Sequence, residues 1–186
     1  MRVISGTARG TKLYSLDGVT TRPTLDRVKE SLFNILQHKV QEANVLDLFA
    51  GSGALGIEAV SRGAKRAVFC DKSPEAIEVI EKNIHKTKMQ NKSVIIKKDY
   101  RKALEELKTN KEIFDLIFLD PPYESNLAIE ATTQILTFDI LTKDGMLVIE
   151  TDDKNRILEK IENLNIEVQD LRKYGRAYLI FLNRKG

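Results

Sequence analysis

Two short stretches of this sequence carry residue types whose spacing could do chemistry. The first is Asp47-Leu48-Phe49-Ala50-Gly51-Ser52-Gly53-Ala54-Leu55-Gly56, running from an apolar, strand-like segment into a helical one. Gly51, Gly53 and Gly56 form a G-x-G-x-x-G pattern, and Asp71 follows 20 residues after Gly51 at the end of the next strand-like run. Glycines at these spacings permit a tight turn and a close backbone approach to a ligand, and the acid suits ribose hydroxyls. An adenosine-type ligand across the strand ends is therefore expected. A nicotinamide dinucleotide would bring a pyrophosphate, which favours a helix N-terminus with no carboxylate beside it. Asp47, four residues before Gly51, suits a ligand with a cationic end, so the residues favour S-adenosylmethionine over NAD. Asp99, just after the third strand-like run, is placed to accept from an adenine amine.

The second stretch is Asp120-Pro121-Pro122-Tyr123, directly after the apolar run Phe114–Leu119. Two prolines remove two backbone donors and stiffen the turn. What remains is an edge of acceptors, the Asp120 carboxylate and neighbouring carbonyls, beside an aromatic face. The exocyclic amine of a base is a poor nucleophile because its lone pair is delocalised into the ring. Acceptors gripping its two hydrogens favour an out-of-plane lone pair and stabilise the charge that develops on methyl transfer. Asp120 can take the surplus proton, and Tyr123 offers a stacking surface for an unstacked base.

The elements that must position these stretches are legible from periodicity. Strand-length apolar runs at Val45–Phe49, Ala67–Cys70, Val94–Lys97, Phe114–Leu119 and Met146–Glu150 alternate with helix-period segments. That alternation predicts an α/β fold with a mostly parallel sheet whose strands are buried on both faces. Ser73-Pro74-Glu75 opens the clearest helix, with Ile77, Ile80 and Ile84 on its buried face. A helix at about Lys154–Asn163 precedes two runs, Glu167–Arg172 and Ala177–Leu182, whose short connection forces an antiparallel hairpin. Before Val45, residues 2–16 read as two short strands around Gly6–Gly10, and Thr24 to about Gln37 reads as a helix capped by Thr24. The expected organisation is a basic arm over residues 1–41 packed on a domain over residues 42–186.

Composition narrows the class. With 186 residues, 42% hydrophobic and 31% charged, the chain is neither disordered nor disulfide-stapled, and it holds one cysteine, Cys70. No signal-like segment or apolar stretch near the roughly 18 residues of a membrane span is visible, so a cytoplasmic protein without membrane attachment is expected. The formal net charge is +3, yet residues 1–41 hold seven basic side chains against three acidic ones. The arm is where a polyanion would dock. A second basic run, Lys82 to Lys102, reads as a solvated face. His38 and His85 lack partners at ligand spacing and Cys70 lies in a buried run, so no metal site is expected.

With these motifs in view, the sequence resembles the RsmD family of 16S rRNA guanine-N2 methyltransferases, of the Rossmann-like class I methyltransferase fold. The resemblance rests on Arg2-Val3-Ile4-Ser5-Gly6 with Ala8-Arg9-Gly10, on Thr21-Arg22-Pro23-Thr24 through Glu30, on Asp47 through Gly63, and on Asp120–Tyr123. The Arg22–Glu30 segment is its specific part, and Leu25 departs from it where a polar residue is common. The resemblance implies a seven-stranded sheet ending in an antiparallel hairpin. It implies that Asp47, Gly51 and Gly53 hold the methionine end of S-adenosylmethionine, Asp71 the ribose and Asp99 the adenine end, with Ala50, Ser52, Lys72 and Tyr100 also binding the cofactor. Asp120, Pro121, Pro122 and Tyr123 would then be the catalytic edge, with Asp120 also reaching the cofactor. Arg9, Arg22, Thr24 and Arg27 would contact small-subunit rRNA, and Arg22–Arg27 would lie over the cofactor as a lid. A monomer acting on an assembled or assembling particle is the expected form. Alternatives with the same acceptor edge are an adenine amine in DNA or a glutamine amide in protein, and, further off, a non-catalytic RNA-binding module. Glu150, ending the fifth run, is placed to face the site without an assigned role.

Overall fold

The computed structural model describes residues 1–16, 23–122 and 126–185, with the backbone alone at 23–25. Its sheet contains β1 (Asn44–Asp47), β2 (Arg66–Asp71), β3 (Ser93–Lys97), β4 (Phe114–Leu119), β5 (Leu141–Thr151), β6 (Ile166–Tyr174) and β7 (Ala177–Arg184). The order is β3-β2-β1-β4-β5-β7-β6, with β1 to β5 parallel and β7 antiparallel to both of its neighbours. The expected seven-stranded sheet and closing hairpin are both present. Strand order reverses between β1 and β4, which opens a crevice at their carboxyl ends. Asp47 ends β1 and Asp120 follows β4, so both chemistry-bearing stretches reach that crevice.

The helices are α1 (Pro23–Ile35), α2 (Gln37–Val40), α3 (Ala54–Ser61), α4 (Pro74–Thr87), α5 (Tyr100–Thr109), α6 (Leu127–Thr137) and α7 (Lys154–Ile161). Ser73 caps α4 by accepting from Ala76 N at 3.2 Å, with Pro74 in the first turn, as its sequence predicts. Successive strand residues feed opposite cores: Val45 joins the cluster under α1, α3 and α4, and Leu46 the one under α5 to α7. Both are fully buried, which is why the strands read as continuous apolar runs. No helix among the described residues is long and apolar enough to cross a membrane.

The arm differs from expectation in two ways. Residues 2–16 form one isolated antiparallel bridge, Arg2 with Lys12, in place of two strands. The cause is competition for backbone donors. Ile4 N and Ser5 N donate to the Glu58 carboxylate, Thr7 N to Ser61 O and Ala8 N to Ser61 Oγ, so these residues have no ladder left to make. Gly6 is needed there, because a Cβ would stand 1.7 Å from Ser61 O. Secondly, α1 begins at Pro23, so Thr24 lies inside the first turn and does not cap it, and α1 stops at Ile35 before the separate turn of α2. Pro at the first helical position accounts for the early start. Leu32, Phe33 and Leu36 are buried, and the Phe33 ring lies 5.8 Å from that of Phe118 on β4. Ser31 hydrogen-bonds the Tyr174 hydroxyl, which joins α1 to the closing hairpin as well.

Candidate active site

The turn after β1 is shaped by three glycines with two different functions. Gly51 and Gly53 take positive φ, 54° and 77°, in the left-handed region that side chains resist. A Cβ on Gly51 would meet nothing within 4 Å, so the backbone there faces open space. Gly56 is required for packing: a Cβ would lie 2.3 Å from the Phe69 ring on β2. Asp71 braces the turn from the next strand, accepting from Gly51 N and Ser73 N at 2.9 Å each. Its carboxylate thus holds the loop and the start of α4 while still facing the crevice.

Two cavities open along this turn. The first, about 290 Å³, is lined by Asp47, Ala50, Gly51, Ser52, Asp120 and Glu150, with Val28, Lys29 and Leu32 of α1 over them. The second, about 580 Å³, is lined by Asp71, Lys72, Asp99, Tyr100, Asp120, Pro121 and Pro122. Leu16, Phe49, Gly51 and Asp120 line both, and so form the boundary between them. Gly53 is buried behind the loop against Phe69 and Ile80. Tyr123 lies outside the described residues. Glu150, placed at the site without a role by its sequence position, stands on the wall of the first cavity.

The electrostatics of the two cavities differ. In the first, burial pushes the Asp47 carboxyl up to about 7, against the hydrogen bond it accepts from Gly56 N at 3.0 Å, with Asp71 adding further negative potential. Asp120 is exposed where the two cavities meet, yet desolvation by the surrounding walls, with the charges of Glu150 and Asp47, raises its carboxyl well above the ordinary carboxylate range. A cation entering this cavity would meet three carboxylates, one of them poised near neutrality. In the second, polar groups are already engaged: Asp99 caps α5 through Arg101 N at 3.1 Å. Tyr100 donates to Glu130 at 2.6 Å, and its ring packs 5.4 Å from Phe49. An apolar slot between these rings and the prolines, with carboxylates at its ends, suits a nucleoside. Cys70 is pushed up to about 12 by burial and so is held as a thiol.

A third cleft, about 380 Å³, lies on the other side of α1 and gathers Arg2, Arg9 and Arg27 with Asp26 and Glu30. Arg9 and Arg27, singled out in sequence for polyanion contact, therefore share one surface with Arg2. Arg22 lies outside the described residues, as does the Thr24 side chain. Not every basic group of the arm is available. Lys29 is 4% exposed, 3.1 Å from Glu58 and 2.5 Å from Arg2 O. Burial lowers its pKa, with Glu58 opposing.

Sequence reasoning missed three polar residues here: Lys29, Glu58 and Asn83. The signal was present for two of them. Lys29 stands three residues before Leu32, and Asn83 three after Ile80 and beside Ile84, so each occupies a core-facing position. A polar residue on such a face needs partners.

A family model described as conserved hypothetical protein 95 matches residues 1–183. A Bacillus subtilis protein provisionally named rRNA methyltransferase YlbH is 38% identical over 186 residues, all of both chains. The Haemophilus influenzae protein named ribosomal RNA small subunit methyltransferase D is 37% identical over 165 residues, 88% of this chain and 84% of that one. An Escherichia coli structure titled provisionally as methyltransferase yhhF superposes with a TM-score of 0.83 at 26% identity, covering 100% of this chain and 98% of that one. The residues matched extend from the arm through the closing hairpin, the same parts that build the crevice. On that breadth of match, this chain belongs to the conserved hypothetical protein 95 family, the RsmD family, and has its Rossmann-like methyltransferase fold.

Proposed function

We propose that this protein transfers a methyl group from S-adenosylmethionine to the exocyclic N2 amine of a guanine in small-subunit (16S) ribosomal RNA. The coarser reading, an rRNA methyltransferase, is supported by the relatives' names; the acceptor edge supports an amine or amide nitrogen as acceptor, and the guanine N2 is what the resemblance to the RsmD family implies. The observation that carries the proposal is that Asp120 belongs to both cavities at once. A group there can meet the reacting atoms whichever side the acceptor enters from.

The donor set fits the cofactor. The open space over Gly51 accommodates a close ligand, Asp47 suits an ammonium or sulfonium, Asp71 and Lys72 a ribose with its hydroxyls, and Asp99 with Tyr100 an adenine. Bound there, S-adenosylmethionine supplies an electrophilic methyl group whose S–C bond breaks, the electron pair leaving with sulfur, as the N–C bond forms. Asp120 and the carbonyls flanking Pro121 and Pro122 would grip the amine hydrogens and hold its lone pair in line. They face the positive charge that develops on nitrogen, and Asp120 then accepts the surplus proton. A carboxylate whose pKa is raised above the ordinary range is a better proton acceptor than an ordinary one. Tyr123 would supply the stacking face. The cleft of Arg2, Arg9 and Arg27, with Arg22 and Thr24 nearby in sequence, would hold RNA phosphates.

The direct test is transfer of labelled methyl to small-subunit particles from cells lacking this protein, followed by nucleoside analysis. Label in N2-methylguanosine is expected. Label confined to DNA adenine or to protein glutamine would move the acceptor, and none in any of the three would remove the catalytic reading.

A further inference from the structure

Asn83 is fully buried on α4, well behind the cavity walls. Its amide is completely used. Oδ1 accepts from Tyr14 N at 2.7 Å, and Nδ2 donates to Tyr14 O at 3.0 Å and to Ser52 O at 2.9 Å. The surroundings offer one N–H and two carbonyls, which Oδ1 and the two Nδ2 hydrogens match in a single amide orientation. The two backbones it bridges have distinct roles. Ser52 belongs to the glycine loop and lines the first cavity. Tyr14 belongs to the arm, and its ring, 50% exposed, packs under Lys86 of the same helix, so the segment is fixed to α4 from both sides.

From Tyr14 the connection continues through the arm. Leu13 N donates to Met1 O at 3.0 Å and Val3 N to Thr11 O at 2.9 Å. Arg2 and Lys12 pair across this short ribbon, and Arg2 with Arg9 lines the arginine cleft. A chain of hydrogen bonds thus leads from the loop under the cofactor cavity to the surface that would meet phosphate. Ordering one end of such a network lowers the cost of ordering the other.

We propose that Asn83 is a positioning residue that ties the glycine loop to the arm, so that filling the cofactor cavity stiffens the arginine cleft. The inference rests on the cofactor reading given above. By linkage, RNA held in the cleft would tighten cofactor binding by the same factor. A residue that merely packed the core would give stability alone, without this directional response.

Backbone amide hydrogen exchange on the full chain, with and without S-adenosylhomocysteine as probe, tests it. In the wild type the probe should slow exchange of the glycine-loop amides and also of Val3, Leu13 and Tyr14, by about fivefold or more. In Asn83→Ala the loop amides should still respond, whereas the three arm amides should not. Asn83→Ser, short and uncharged, withdraws the bridge without burying a charge against the Tyr14 and Ser52 carbonyls. Its loop amides should respond and its arm amides should not, and this variant decides the matter if the alanine form does not fold. Arm amides that respond equally in either variant would mean the signal bypasses Asn83, for example through Leu16, and would overturn the inference. So would a wild-type arm indifferent to a probe that the loop registers. A wild-type loop that shows no response at all would instead remove the cofactor reading, and this inference with it.

Discussion

Glu58 and Asp47 are both buried carboxylates at helix α3, and folding treats them in opposite ways. Glu58, 0% exposed, receives two backbone donors from the arm, Ile4 N at 2.8 Å and Ser5 N at 3.0 Å, and two cations, Arg62 at 2.7 Å and Lys29 at 3.1 Å. Asp47, 2% exposed, accepts from Gly56 N, and among the described residues no cation lies within ion-pair distance. One charge is satisfied by the protein itself and fastens the arm to the core. The other is left short of a countercharge, beside two more carboxylates and an open cavity. Burial without compensation costs stability, so it persists where a ligand supplies what folding does not. Depth of burial alone therefore does not separate a structural carboxylate from a functional one; the partners do.

The largest effect is expected at Glu58. Glu58→Ala leaves Lys29 buried without its carboxylate and two amides without an acceptor, and should cost about 3–5 kcal/mol in urea denaturation. An unchanged midpoint would mean that the arm is held by its apolar contacts alone. At Asp120 the loss should fall on chemistry. Asp120→Ala should lower methyl transfer by about 10²- to 10⁴-fold while leaving S-adenosylhomocysteine affinity within about twofold. In the wild type, turnover should rise with pH through the raised pKa of Asp120, because the ionised form is the proton acceptor. A flat profile in single-turnover measurements would take the proton away from this residue.

Asp47→Asn should have the sign opposite to Glu58→Ala. In the folded protein Asp47 titrates near 7, whereas the unfolded chain releases that proton near the ordinary carboxylate value of 3.8. Between those values the native state holds a proton the unfolded state has lost, so stability from this group falls as pH rises toward 7 and stays low above it. Removing the charge should therefore stabilise the protein at pH 8, by roughly 1–3 kcal/mol, and flatten that part of the stability profile. The same substitution should weaken S-adenosylmethionine binding, since the cation loses its counterion. Thermal unfolding at pH 5 and pH 8, with ligand titration alongside, reads both effects; a destabilised, tightly binding variant would reverse the assignment.

The sequence showed the sheet and the crevice clearly because their signals are local. Phe114–Leu119 reads as a buried strand from its own residues, and Gly51, Gly53 and Gly56 announce a turn within ten positions. The arm was read less well, because what shapes it is distant. Ile4 and Ser5 look like strand residues until Glu58, more than fifty positions away, takes their amides. Leu141–Thr151 extends β5 five residues before the expected Met146, where β4 and β5 change register between Phe114 and Leu116. Asp120 was found because its prolines mark it. Of the two cavities that meet at it, the first is covered by α1 and the second lies between the ends of β2 and β3, the start of α5 and the prolines, an arrangement no local pattern encodes.

The smallest effect concerns the arm's charge, where a count of basic residues overstates what can reach a phosphate. Lys29 and Arg27 stand two positions apart in sequence, yet Arg27 is exposed in the arginine cleft and Lys29 is buried against Glu58. Converting Arg9 and Arg27 together to Gln should lower the slope of log affinity against log salt for small-subunit RNA by about 1.4–1.8, each phosphate contact contributing about 0.7–0.9. Lys29→Met removes the same formal charge from the same helix but should leave that slope unchanged, its cost appearing as lost stability because Glu58 is then underpaired. Equal slopes for the two arm variants would show that net charge governs binding; separate slopes would show that only the exposed arginines meet the phosphates, one face of α1 serving RNA and the other the core.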